Sequence, residues 1–331
     1  MFIQITDAKA EQESDFTKKG FSAKLAMDGQ KIAGHYGYTP VGLWMQDAVH
    51  RAFWAGNLVV DEAYRRQGIG GQLIRALADE GEVGLDLGAS PIAEPMLVKE
   101  GWTHMGALHR WVGVLDAVRA VPFAENPDVL KSCIVTGDFR STPVSDIREV
   151  KEFDSDTDVF WNEYRRTIAY ATDRNARYLN WRYAHHPVFS YSMCEAMADG
   201  KVQGFAVARL EKARGAGEGL VVMRIVELVS FPQYEMLLLQ HLIMRAHEQG
   251  AVIMDFFCSS LRFGRVFEDR GFGGDAVSGR IARLFSPVVL SKWPISFNVI
   301  ATNTAAGSEL SSQEEWYATT GDGDQDRPNK L

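Results

Sequence analysis

Arg65-Arg66-Gln67-Gly68-Ile69-Gly70-Gly71 follows the apolar stretch Leu58-Val59-Val60 and precedes the periodic run Gln72-Leu73-Ile74-Arg75-Ala76-Leu77-Ala78. The order reads as strand, glycine turn, helix. Glycines let a backbone approach a bulky anion, and the first turn of a helix presents N–H groups that have no partner within the helix. Such a place suits a phosphate or pyrophosphate. A P-loop puts Lys and then Ser or Thr directly after its glycines, where this chain has Gln72 and Leu73. A dinucleotide fingerprint asks for G-x-G-x-x-G, and Gly68-x-Gly70-Gly71 behind two arginines fits it poorly. The letters alone also suit a plain tight turn at a helix start; the flanking strand, helix and paired arginines weigh toward an anion.

At 331 residues the chain is long enough for two domains, and 46% hydrophobic with 24% charged residues is the composition of a well-cored soluble globule. A formal charge of −8 argues against a nucleic-acid groove, while leaving room for a local basic pocket at Arg65 and Arg66. Cys133, Cys194 and Cys258 are odd in number and far apart, which suits free thiols in a reducing compartment. The start, Met1 to Asp7, has no basic region followed by a long apolar core, and the apolar stretch Leu220 to Val229 is broken by Arg224 and Glu227. The expectation is a cytoplasmic, soluble protein with neither nucleic-acid nor membrane partner.

Outward from the glycine turn, Phe2 to Ile5, Phe21 to Met27, Lys31 to Tyr38 and Arg51 to Val60 read as strands, with Asp28-Gly29 as a hairpin turn. A helix is expected over 67–80, a strand around Leu85, a helix over 91–100 capped by Ser90, and a closing hairpin over His104 to Val114. After a linker over 120–145 the pattern recurs. Helix 158–170, strands 191–197, 204–211 and 219–230, helix 234–248, strand 252–258 and helix 261–270 are expected, with Gly200-Lys201 as a turn. Lys99-Glu100-Gly101-Trp102 and Asp269-Arg270-Gly271-Phe272 close the two halves alike. Where the first half has Arg65 to Gly71, the second has the glycine-free Phe231-Pro232-Gln233-Tyr234, so one anion cradle per chain is expected. The polar tail over 303–331 reads as disordered by default. Trp316 and Tyr317 argue instead for a partly docked tail over an acceptor site.

The segment from Asn57 to Leu73 resembles the acyl-coenzyme A motif of the GCN5-related N-acetyltransferase (GNAT) superfamily, with Arg65, Gly68 and Gly70 in the motif positions. The later landmarks follow in order: strand Val83 to Gly88, helix Ala93 to Glu100, and Lys99-Glu100-Gly101-Trp102. The resemblance covers roughly residues 30 to 115. It implies an α/β mixed-sheet fold with two tandem GNAT-like domains, 1–125 with the acyl-CoA site and 135–300 degenerate. It implies that Arg65, Arg66, Gln67, Gly68, Ile69, Gly70 and Gly71 hold the coenzyme A pyrophosphate. The strand Leu58, Val59, Val60 would splay from its neighbour and offer main-chain groups to the pantetheine arm. The donor would be acetyl-CoA or another acyl-CoA.

The tandem arrangement further resembles sugar N-acyltransferases that act on nucleotide-linked amino sugars. The supporting letters are Arg177 to Tyr183, His186-Pro187, Trp316 and Gly321-Asp322-Gly323-Asp324. Under that resemblance Arg177, Trp181, Arg182 and Tyr183 supply stacking and phosphate donors to a nucleotide diphosphate. Read from the residues alone, Trp181 and Tyr183 serve equally as buried anchors and the arginines as a solvated rim. An amino acid, peptide or other small amine is the alternative acceptor, and a non-catalytic acyl-CoA binding module the alternative role.

Acyl transfer to an amine needs a neutral amine, a polarised thioester carbonyl and a route for the proton; the resemblance implies direct attack without a covalent nucleophile. The superfamily's helper tyrosine would fall two residues before Lys99, where this chain has Leu97; its counterpart is Phe267. The bases to test are His35 first, then Asp86 and Glu227. His35 as an ordinary strand residue, and Asp86 as a holder of a backbone N–H, stand beside those roles. His185-His186 has no acidic partner at ligand spacing, and no metal is expected.

Overall fold

The computed structural model describes residues 3–9, 22–137, 146–215, 217–284, 294–301 and 312–326. Part of the expected linker, 138–145, and part of the tail, 303–311 and 327–331, lie outside the described residues, as do Phe2 and Phe21 at the edges of expected strands.

Four antiparallel strands open the chain: β1 (Ile3–Lys9), β2 (Ser22–Asp28), β3 (Lys31–Met45) and β4 (Ala48–Val60). Gly29, at φ 61°, turns β2 into β3, and Gln46-Asp47, both at positive φ, turn β3 into β4. Helix α1 (Ile69–Ala78) leads to β5 (Val83–Leu87), parallel to β4, and α2 (Ala93–Lys99) leads to β6 (Thr103–Ala107). α1 begins two residues later than the expected 67, because Arg66 and Gly68 take φ 64° and 78°, outside the helical region.

The second half repeats this order. β7 (His109–Val114) and α3 (Pro127–Lys131) precede β8 (Ile147–Val150), α4 (Ser155–Tyr164), β9 (Tyr170–Thr172) and α5 (Ala176–Leu179). Then come β10 (Ser192–Ala198), β11 (Lys201–Lys212), β12 (Val221–Ser230), α6 (Pro232–Glu248), β13 (Ala251–Cys258), α7 (Gly264–Glu268), α8 (Asp275–Ser278), β14 (Ser296–Ala301) and β15 (Trp316–Tyr317). The two Gly-aromatic steps superpose in chemistry. Gly101 and Gly271 are left-handed, and the N–H of Trp102 and of Phe272 reaches back to the carbonyl of Leu97 and of Phe267, both at 3.1 Å. Each is a glycine-terminated helix end of one kind.

The sheets are not closed by their own strands. One runs β1-β2-β3-β4-β5-β14-β6, with β9 and β15 appended to β3, and the other runs β7-β13-β12-β11-β10-β8. Thus β14, late in the chain, inserts between β5 and β6, while β7 leaves the first half to pair with β13. The expected hairpin over 104–114 is overturned. Only Leu108 separates β6 from β7, and its N–H bonds Ile295 at 2.8 Å, so the chain passes from one sheet to the other without the turn a hairpin needs. A cut anywhere over 125–135 would sever both exchanges. Buried ion pairs fix β7 in place: Arg110 grips Asp255 of β13 at 2.9 Å, and Arg224 of β12 reaches the same carboxylate at 3.2 Å.

One core spans both sheets. Trp54 of β4 stacks on Phe297 of β14, which meets Trp316 edge-on, and Trp316 stacks on Tyr170 of β9. α1 and α2 cover the other face of the first sheet through Leu73, Leu77 and Leu97. Among the described residues no helix is long and apolar enough to cross a membrane.

Because β5 has no antiparallel neighbour without β14, residues 1–135 made alone are expected to show no cooperative unfolding by circular dichroism. Co-expression with 136–331 should restore a single transition, and a cooperative transition in the isolated piece would refute the dependence.

Candidate active site

β4 and β5 are paired from Ala52–Val83 to Ala55–Asp86 and then separate. On the other side of β4, Gly37 faces Gly56 and His35 faces Val59, so Asn57 and Leu58 together oppose Tyr36 in a bulge, with Asn57 at φ 63°. The bulge turns the end of β4 away from β5. Past it, a 3-10 turn over Glu62–Tyr64 leads into Arg65 and Arg66, both exposed, and to Gly68 at the start of α1. The Gly68 carbonyl accepts from Gln72, and Gly68, as the cap of α1, offers no side-chain acceptor to the N–H groups of its first turn. A methyl group on Gly70 would come within 2.4 Å of Met96 on α2, and on Gly71 within 2.6 Å of Glu100, so glycine here lets the two helices approach. The turn combines exposed guanidinium groups, a left-handed glycine and a helix N-terminus, features that suit an anion.

The gap between the separating strands is a cavity of about 170 Å³ walled by Tyr36, Gly56, Leu58, Asp86, Leu97 and Asp324. The Asp86 carboxylate is buried, accepting from Tyr36 at 3.3 Å and from Asn298 of the exchanged strand at 3.5 Å. Burial, helped by the negative charge of Asp324, pushes the Asp86 carboxyl up to about 7. Burial and the charge of Asp86 likewise hold the Tyr36 phenol well above its ordinary range, so it stays protonated.

A second cavity, of about 270 Å³, lies where the two halves meet and shares Gly56, Asn57 and Asp324 with the first. Its walls are Tyr38, Trp54, Tyr178, Trp181, Arg182 and Phe189 together with the tail at Asp322 to Asp324. The tail is docked through 312–326. Arg182 donates to the carbonyls of Gly321 and Gly323 at 2.7 and 2.8 Å, and Arg174 holds Asp322 at 2.6 Å. Tyr191 and Arg209 hold Asp326 at 2.7 and 3.0 Å, and Gln325 donates to Leu87 on β5 at 2.9 Å. Asp324 thereby comes so close to Gly56 that a methyl there would stand 2.3 Å from its carboxylate.

The second half makes the same opening and fills it differently. β12 and β13 pair as far as Ile225–Phe256. Beyond that point Thr319 donates to the carbonyl of Val226 at 2.7 Å, Tyr317 exchanges hydrogen bonds with Leu228, and Ser259 donates to Ala318 at 2.9 Å. α6 starts on Pro232 with Phe231 as its cap, and Glu235 stands in its first turn.

Of the bases expected from sequence, only Asp86 stands in the cavity between the strands. His35 alternates with Tyr36, which places it on the face of Gly37 and Thr39 but not in the wall of either cavity. Glu227 is fully buried and accepts from Arg174, Tyr183 and Tyr317 at 3.0, 2.8 and 3.1 Å; burial raises its carboxyl, and it serves the tail's anchorage. Trp181 and Arg182 line the larger cavity, Tyr183 lies buried behind it, and Arg177 is exposed outside its wall. Val59 and Val60 continue the separated strand beyond Leu58. Tyr36 and Asp324 also line the cavity between the strands and are not among the bases expected from sequence. Tyr36 was legible as the neighbour of His35 on the other strand face, while Asp324 needed the path of the tail.

Residues 4–86 match the acetyltransferase (GNAT) family model. Among curated proteins nothing matches significantly. A GCN5-related N-acetyltransferase from Anabaena variabilis superposes with a TM-score of 0.54 at 13% identity, over 87% of this chain and 64% of that one. Saccharomyces cerevisiae N-myristoyltransferase with bound myristoyl-CoA superposes with a TM-score of 0.55 at 9% identity, over 88% and 68%. The chain thus spans just under two thirds of the Anabaena protein. At these identities the likeness is one of fold: a mixed α/β, two-sheet, GNAT-like architecture over most of the chain.

The raised Asp86 group has a signed consequence. The folded chain keeps a proton that the unfolded chain releases from about pH 4, so stability is expected to fall as pH rises from about 4 to about 7. Asp86→Asn should raise the urea midpoint at pH 7 and leave it near wild type at pH 4. An equal shift at both pH values would show that the proton is not held there.

Proposed function

We propose that this chain is an acyl-CoA dependent N-acyltransferase that moves an acyl group onto a primary amine, with one acyl-CoA site per chain in the unit over 1–125 and an acceptor site to which 135–300 and the tail contribute. The observation that carries the reading is Asp324, a carboxylate in the wall common to both cavities, packed against Gly56 where β4 leaves β5. Arg65, Arg66 and the N–H groups over 67–71 would hold the diphosphate, and Leu58 to Val60 the pantetheine arm. The bound thioester supplies an acyl carbon activated toward amines.

The chain's own groups then move the protons. Asp324 takes the proton that the amine must lose, the C–N bond forms as the C–S bond breaks, and the departing sulfur takes its proton from the Tyr36 hydroxyl. Asp86, poised near neutrality, returns a proton to Tyr36. This supplies a phenol from β3 where Leu97 leaves none on α2. Positioning across the two cavities provides the remainder.

Two acceptor classes fit an N-acyltransferase of this architecture: a nucleotide-linked amino sugar, as the tandem resemblance implies, and a smaller amine. A binding module without chemistry would need neither Asp324 nor Tyr36 in the gap.

In calorimetry and thiol-release assays with acetyl-CoA, Gly68→Val with Gly70→Val should abolish coenzyme binding. Asp324→Asn should retain it and lose on the order of 10²-fold or more in turnover, the scale of a general base. Absence of acyl-CoA binding by the wild-type chain would overturn the function.

A further inference from the structure

We infer that Glu94, His104 and Asn298 are positioning residues: they aim an amide N–H at the Asp86 carboxylate and so set when that group gives up its proton. The inference deepens the N-acyltransferase reading, on which its chemical purpose rests. The strand register carries it. On the exchanged strand β14, Asn298 stands directly opposite Asp86 of β5 on one side and His104 of β6 on the other. Directly opposed residues share a sheet face, so the three side chains form one row. The row depends on a bulge. Phe297 faces Gly106 and Asn298 faces His104, which leaves Met105 as the extra residue of β6, with Gly106 at φ 137° in a conformation that favours glycine. In a regular ladder Met105 would face Asn298, and the row would end on a thioether.

Donors and acceptors run along this row in one direction. Nδ1 of His104 lies 2.7 Å from a carboxylate oxygen of Glu94, on α2, and 3.2 Å from Oδ1 of Asn298. A carboxylate only accepts, so Nδ1 carries its proton whether the ring is neutral or charged. That N–H turns Oδ1 of Asn298 toward His104 and leaves Nδ2 facing Asp86, 3.5 Å from Oδ1 of the carboxylate and equally far from the Ser296 hydroxyl. Bonds at catalytic groups are often long until substrate tightens them. The other carboxylate oxygen accepts from the Tyr36 hydroxyl at 3.3 Å. Burial and the charge of Asp324, with a smaller push from Glu94, favour protonated Asp86, and the Asn298 and Tyr36 donors oppose them; the balance leaves the carboxyl at about 7. An amide turned the other way would present its own oxygen to Asp86 and join the groups that keep the proton on.

The test is carboxyl NMR on the full chain with 13C-labelled aspartate, the Asp86 resonance being the one lost in Asp86→Asn. The wild-type resonance should titrate near neutrality. His104→Phe alters a half-exposed side chain and leaves the amide unaimed. Asp86 should then hold its proton roughly tenfold more tightly, the scale of one hydrogen bond to a charged group. Asn298→Leu should act in the same direction. His104→Asn, whose Nδ2 falls where Nδ1 was, should restore the wild-type titration, a rescue that a merely structural role for His104 does not supply. A wild-type Asp86 that titrates in the ordinary aspartate range, a titration unmoved by His104→Phe, or one that His104→Asn fails to restore overturns the inference. A titration that moves and is restored as expected, in a wild-type chain that binds no acetyl-CoA by calorimetry, would uphold the positioning and defeat the enzymatic reading, so the two failures are distinguishable.

Discussion

Two parallel strands that diverge leave main-chain donors and acceptors with no partner, and a buried unpaired group costs about as much as a lost hydrogen bond. This molecule opens its sheets twice, and the two openings are filled differently. Between β12 and β13 the chain supplies the filling: Tyr317, Ala318 and Thr319 satisfy Val226, Leu228 and Ser259. Between β4 and β5 the tail reaches only the edge, where Gln325 meets Leu87, and a cavity lined by Asp86 and Tyr36 is left. One opening is closed by covalent continuity. The other keeps the room and the polar groups an amide-bearing ligand would require.

The exchanged strands make the two halves one mechanical unit. Asn298, which donates to Asp86, arrives on β14 from the end of the second half, and β7 carries Arg110 into the second sheet to meet Asp255. The first site is thus completed by residues more than two hundred positions away in sequence. Core packing follows the same path, since Trp54, Phe297, Trp316 and Tyr170 touch in series across strands β4, β14, β15 and β9. Separate folding of the halves would leave β5 and β13 as raw edges, which proteins rarely tolerate.

Local physics made much of this legible in the sequence. The glycine turn and α1, the β2–β3 turn at Gly29, the strands of the second half and both Gly-aromatic helix ends follow from backbone preference and periodicity, and those elements stand close to where periodicity puts them. The hairpin over 104–114 failed because alternation identifies a strand but not its partner. β7 pairs with β13 across more than a hundred residues, and nothing in its own letters marks that choice. The site divides the same way. Asp86 follows the cradle helix in sequence and lines the cavity, whereas side-chain chemistry singles out His35 and strand facing puts its neighbour Tyr36 in that wall instead. Asp324 is named in the sequence only as one letter of the tail's Gly-Asp run; Trp316 and Tyr317 argue for docking, but where that run lies depends on Arg174, Arg182 and Arg209, which meet it only in space.

Those arginines explain why so polar a tail docks at all. Arg174 is fully buried between Glu227 at 3.0 Å and Asp322 at 2.6 Å, with its third donor on the carbonyl of Thr172. A buried ion network of this kind is a poor source of net stability, since desolvation cancels much of the attraction, and apolar packing of equal volume often does as well. Its distinctive product is register. Apolar packing tolerates a slide by a residue, but Arg174 on Asp322 and Arg209 on Asp326 fix both ends of a five-residue span, and Arg182 fixes the carbonyls at 321 and 323 between and beside them. The residue so fixed is Asp324, at the passage between the two cavities. The charge network is therefore best understood as the device that sets where one carboxylate stands.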